Sequence, residues 1–176
     1  YTASEEDELA VLVRGGGKLH LVGADINKGG DSTSLLRCRT EGCNAAAAVT
    51  AGSLLTMENG IVTTRGAGAT GVHVMGKDAN AVLNNTMIVT SGATAPALAV
   101  VSGGAASADG STLTVESAGT PCVYVAGGSM VLRGGTVKSL LAPCLSMEGA
   151  GSASCENVAL TGASAILLSS GDALAP

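Results

Sequence analysis

The chain has no phenylalanine and no tryptophan, and its only aromatic side chains are Tyr1 and Tyr124. Apolar residues still make up 46% of it, so Val, Leu, Ala, Ile and Met must fill the interior. A globular α/β domain of this length normally builds its core around several large rings. A narrow interior lined by one row of aliphatic side chains per layer has no place for them. Proline is scarce, with four residues, while glycine reaches 26. Glycine with frequent Thr and Ser reads as many short strands joined by many turns. The glycines have no three-residue period, which excludes collagen. The chain is too apolar and too weakly charged for disorder.

Positive charge is also in short supply, with 9 Lys and Arg against 14 Asp and Glu. A net charge of −5 with no aromatic stacking residues argues against nucleic acid as a partner. No apolar run is long enough to span a bilayer, so membrane insertion is not expected. A signal sequence is lacking ahead of Tyr1, which leaves two expectations open, a processed mature chain or an excised piece of a longer protein.

What the chain does have is an internal repeat. Apolar pairs two residues apart recur as Val11/Val13, Ala47/Val49, Val72/Val74, Leu98/Val100, Val123/Val125, Leu145/Met147 and Ile166/Leu168. These define strand A. The residue before each pair is small: Ala10, Ala46, Gly71, Ala97, Cys122, Cys144 and Ala165. A second set, strand B, runs Leu19/Leu21, Leu55/Met57, Ala81/Leu83, Ala106/Ala108, Met130/Leu132 and Ala153/Cys155. Five residues beyond each comes strand C, with Ile26, Val62, Ile88, Leu113, Val137 and Leu160. Between B and C one register reads Gly23, Asn59, Asn85, Gly110, Gly134 and Asn157. Gly and Asn are the residues that enter the left-handed region most cheaply, so this column predicts a tight bend.

The repeat is roughly 21–26 residues, with one longer copy. Three period-two strands per repeat predict a single all-β domain over 1–176, a right-handed parallel β-helix. About seven coils at ~4.8 Å per layer make a rod of roughly 35 Å. The longer copy carries extra sequence from Lys28 to Asn44, polar and charged, expected to loop out from the corner between strand C and the next strand A.

The segments DELAVLVRGGGKLHLVGADI, ENGIVTTRGAGATGVHV, GTPCVYVAGGSMVLRGGTV and SCENVALTG resemble the secreted right-handed parallel β-helix proteins of Gram-positive anaerobes, described as adhesin-like or carbohydrate-binding-domain proteins. The coil type is similar to that of pectate lyases and autotransporter passengers. The resemblance covers the whole chain. It implies an extracellular or cell-surface location and a structural or adhesive role, and it supplies no catalytic motif.

Candidate sites are few. The acids Asp25, Asp31, Glu58, Asp78, Asp109, Glu116, Glu148 and Glu156 are scattered over turns and outer faces, not paired for acid–base work. No catalytic residue and no cofactor is therefore expected. His20 and His73 are expected to project outward on different strands, unable to share a metal. Strand C offers no flat threonine array of the ice-binding kind. Cys38 and Cys43 could close a small ring in an oxidising compartment; a metal there would need further ligands, and none is near in sequence. Cys122 and Cys144 share one column in neighbouring coils, at a spacing that suits either a disulfide or a stack of buried thiols. Cys155 reads as a small core hydrophobe.

The ends and outer faces suggest self-association. Tyr1 falls in the strand C register of a preceding coil, and strand A of the last coil begins near Ala165, with the chain running on through Leu174. The acidic stretch SEEDELA makes no convincing cap. Leu12, Ala48, Ala99, Tyr124 and Leu167 on strand A, and Val82 and Val131 on strand B, are expected to expose apolar surface. The leading expectation is thus a non-catalytic extracellular structural protein that stacks head to tail, with Tyr1, Ala165 and Leu174 at the contact. The alternative is an adhesin-type module binding a glycan or a host surface protein.

Overall fold

The computed structural model describes residues 1–169. Three parallel sheets, of seven, seven and six strands, wrap one interior. Each strand pairs only with its equivalents in the neighbouring coils, giving a β-solenoid of about seven coils with three strands per coil. The pairing follows the sequence columns without a slip. On strand A the partners run Val11, Ala47, Val72, Leu98, Val123, Leu145 and Ile166. On strand B they run Leu19, Leu55, Ala81, Ala106, Met130 and Ala153. Strand C stacks Ile26, Val62, Ile88, Leu113, Val137 and Leu160. The inward residues of all three merge into one aliphatic cluster.

The Gly/Asn column is what keeps those coils in register. All six residues have φ between +47° and +61°. The left-handed bend points each backbone N–H along the rod, not around the coil. Gly23, Asn59, Asn85, Gly110 and Gly134 each donate to a carbonyl of the next coil at 2.8–3.0 Å. The Asn85 amide also donates to the Asn59 side-chain oxygen at 2.7 Å. The small column before strand A has an equally local cause. A methyl on Gly71 would stand 2.4 Å from the Ala97 carbonyl oxygen and 2.5 Å from Ile88 Cγ2.

A second glycine column, Gly30, Gly66 and Gly92, lines the corner between C and A. A Cβ on Gly66 would meet the Gly30 carbonyl oxygen at 2.0 Å, and one on Gly92 the Gly66 carbonyl oxygen at 1.8 Å. Backbone stacks on backbone here.

The long copy departs from expectation in two ways. Lys28 belongs to strand C (Asp25–Lys28) and is among the largest fully buried side chains, not the start of an exposed loop. Its Nζ donates to the carbonyls of Glu5 and Gly30 at 2.8 Å each. Desolvation lowers its pKa, against the opposing pull of Glu8, Asp31, Asp7 and Glu5. The insertion also contains a helix, α1 (Leu35–Glu41), where only strands and loops were expected. Ser34 caps its start, Gly42 ends it at φ +65°, and Arg37 pairs with Glu41 at 2.8 Å across one turn.

Burying a lone carboxylate in the strand C column has no compensating partner. Ile88→Asp should cost about 4 kcal/mol or more and abolish the cooperative unfolding transition followed by circular dichroism. Gly71→Ala should lower the melting temperature, since backbone must move to admit one methyl. Ala97→Gly in the same column should be far milder, because it removes a methyl and forces nothing apart.

Candidate functional site

Two features break the regularity of the rod, and both lie on or beside strand A. The first is the insertion, which packs down instead of looping out. Gly42 sits directly over His73, so close that a Cβ there would lie 2.5 Å from the imidazole Cδ2. His73 is therefore buried, not a surface histidine as expected from its outward register. Ala48, Ala99 and Tyr124, its outward neighbours along the sheet, are buried as well, which corrects the expected apolar exposure of this face. Leu12 is exposed at 44%, as expected. Val82 and Val131 on strand B are half-buried. The side chain of Leu167 lies outside the described residues.

Neither ring nitrogen of His73 has a hydrogen-bond partner among the described residues. The Thr40 backbone favours the protonated ring. Burial wins and lowers the pKa to about 4. His20 stays on the surface and faces Glu58 at 3.2 Å.

The insertion is tied down by the acidic N-terminal segment, which serves as a clamp where no cap was expected. Asp7 accepts bonds from the Ser32 hydroxyl at 3.0 Å, the Thr33 N–H at 3.2 Å and the Thr33 hydroxyl. The Thr33 hydroxyl bond is the main reason its carboxyl is held below the usual range, with desolvation opposing. Asp31 accepts from the Ala67 N–H at 2.8 Å and so links the insertion to the next coil. Glu8 folds back onto the N–H groups of Ser4 and Glu5.

Cys38 and Cys43 form a disulfide inside this clamp, and Asp7 Oδ1 lies 4.0 Å from the first sulfur and 3.9 Å from the second. A third ligand-bearing group is thus close after all, which the sequence spacing did not reveal. Cys122 and Cys144 are free, buried and stacked in adjacent coils. Burial pushes both thiols up, away from the reactive thiolate. Cys155 pairs with Leu132 as expected but is exposed, because no described residue covers that end of the column.

The second feature is a groove of about 260 Å³, lined by Pro96, Pro121, Tyr124, Pro143, Ser146 and Glu148 among others. It opens because the corner before strand A spans 116–122 in one coil but only 140–142 in the next. Three of the four prolines wall it. The Tyr124 ring lies almost wholly buried against Ala99 and Val101, and its hydroxyl donates to Glu148 at 2.6 Å. The groove floor therefore presents a hydroxyl–carboxylate pair beside apolar walls.

At the ends, Thr2 pairs with Asn27, which puts Tyr1 in the strand C register. Its ammonium donates to the Asp25 carbonyl at 2.8 Å. Ala165 is exposed in the last described strand, and Leu174 lies outside the described residues.

His73 makes the clamp acid-sensitive. The unfolded chain takes up its proton below about pH 6.5, whereas the folded protein refuses it until about pH 4. Stability present above pH 6.5 should fall by on the order of 3 kcal/mol as the pH drops to 4. His73→Leu should flatten the urea-midpoint profile across that window. The Asp7 contribution is lost only at lower pH, below the ordinary carboxylate value. No protein-family model, no curated protein and no solved structure matches this chain.

Proposed function

We propose that this chain is a non-catalytic, adhesin-type β-solenoid module that acts outside the cell and holds a neutral sugar unit of a glycan in the Tyr124–Glu148 groove. The groove itself carries this reading. Its volume of about 260 Å³ suits one sugar ring. The proline walls offer apolar contact, and Ser146 with the Tyr124–Glu148 pair offers directional hydrogen bonds to hydroxyls. None of its lining residues is basic, which disfavours uronic or sialic acids. Glu148 is its sole carboxylate, whereas glycosidic cleavage needs two acting on one bond. An oxidising exterior is supported by the Cys38–Cys43 disulfide.

End-to-end assembly into a filament is the second reading. It is supported by Thr2–Ala3, which pair as a strand on Asp25–Lys28 and form the end of that sheet, with their own outer edge carrying no further strand among the described residues.

A glycan array of neutral, amino and acidic sugars should give hits confined to neutral ones. Glu148→Gln and Tyr124→Phe should each weaken the best hit by about 10-fold, the worth of one buried hydrogen bond. Unchanged binding in both variants would remove the groove from the account. Electron microscopy of the same preparation tests the second reading. Filaments that vanish on deletion of 165–176 would support it, and filaments that persist would move the contact to the lateral faces.

A further inference from the structure

We propose that the Cys38–Cys43 pair has a second, mutually exclusive state: once reduced, its two thiolates and the Asp7 carboxylate bind one divalent cation of the zinc type. The three ligand atoms lie within 4.8 Å of one another. In a tetrahedral zinc site, sulfur at ~2.3 Å and oxygen at ~2.0 Å from the metal put sulfur and oxygen about 3.5 Å apart and the two sulfurs about 3.8 Å apart. Asp7 Oδ1, at 4.0 and 3.9 Å from the sulfurs, already stands close to that edge length. Only the sulfurs must separate. The Ser32 hydroxyl, 2.8 Å from Cys38 Sγ and 3.0 Å from Asp7 Oδ1, borders the fourth side, where it or a water completes the shell.

The ligands are held from independent directions. Asp7 is fixed by the Thr33 N–H and by its own N–H to the Asp31 carbonyl at 3.2 Å. Cys38 is buried in α1, with its N–H bonded to the Ser34 carbonyl at 3.0 Å. Cys43 follows the helix cap, where Gly42 donates back to the Cys38 carbonyl at 3.1 Å. A site held by its surroundings loses little order when the covalent link opens.

The chemistry balances with a two-electron thiol reductant. The disulfide takes up two electrons and two protons to give two thiols, and the reductant leaves as its own disulfide. Binding the cation then displaces one proton from each thiol. Two thiolates and one carboxylate around a divalent ion leave one net negative charge. The cation restores the tie between α1 and the Cys43 segment that reduction removes. The insertion thus stays clamped over His73 in either state.

The test uses the full chain and a phosphine, which becomes the phosphine oxide and does not compete strongly for zinc. Cobalt(II) alone is added as the spectroscopic probe, and zinc(II) alone in calorimetry. Reduced protein should bind one equivalent with a thiolate-to-cobalt charge-transfer band, and oxidised protein should give no band. Cys38→Ser and Cys43→Ser should each abolish the band. Asp7→Asn should weaken zinc binding by about 10-fold or more. Cys155→Ser, which removes the exposed thiol, should change nothing. Circular dichroism confirms that each variant is folded. A reduced protein without the band, a band that survives in Cys38→Ser or disappears in Cys155→Ser, or a folded Asp7→Asn with undiminished affinity would overturn the proposal.

Discussion

Every coil must lie on the one below at a single strand spacing, and the corner between strands B and C is where that condition is hardest to meet. The six left-handed residues there turn their N–H groups along the rod axis, so each bend hydrogen-bonds to the next. A residue with ordinary φ would aim the donor elsewhere and throw the following strand out of register. Since strand side chains alternate faces, a slip of one residue would turn every inward aliphatic outward. The aliphatic columns, the small column before strand A and the stacked Gly30–Gly66–Gly92 corner all depend on that superposition.

The insertion is the place where the regular rod acquires individuality. A corner elsewhere made of seven or fewer residues here extends far enough to form α1 and fold back over strand A. It covers His73, and Asp7 fastens it from the N-terminal side. The acidic stretch that carries Asp7 also supplies the Glu5 carbonyl to the buried Lys28 ammonium. Charge, disulfide and buried imidazole are thus concentrated in one small region of an otherwise aliphatic and weakly charged molecule. The groove by Tyr124 comes from the opposite deviation, a corner too short to cover the sheet beside it.

The sequence by itself determined the solenoid: three strands per coil, the aliphatic inward columns of strands A and B, the Ile26–Leu160 column of strand C, and the Gly/Asn corner. Those features repeat, and a repeated constraint leaves the same residue type at the same register in each copy, as in Ile26, Val62, Ile88 and Leu113. What only the tertiary structure decided is where the non-repeating segments settle. His73 and Tyr124 have the outward register of exposed residues, yet they are buried, because what covers a sheet's outer face is not encoded in the strand itself. Lys28 looked like a loop residue because its composition is polar, while its position in the strand C ladder aims it inward. Asp7 stands beside Cys38 and Cys43 although more than thirty residues separate them from it, since one turn of the solenoid returns the chain to the same corner. Periodicity is a local property that a sequence displays directly. The meeting of two irregular segments depends on their folded paths, which no periodic column records.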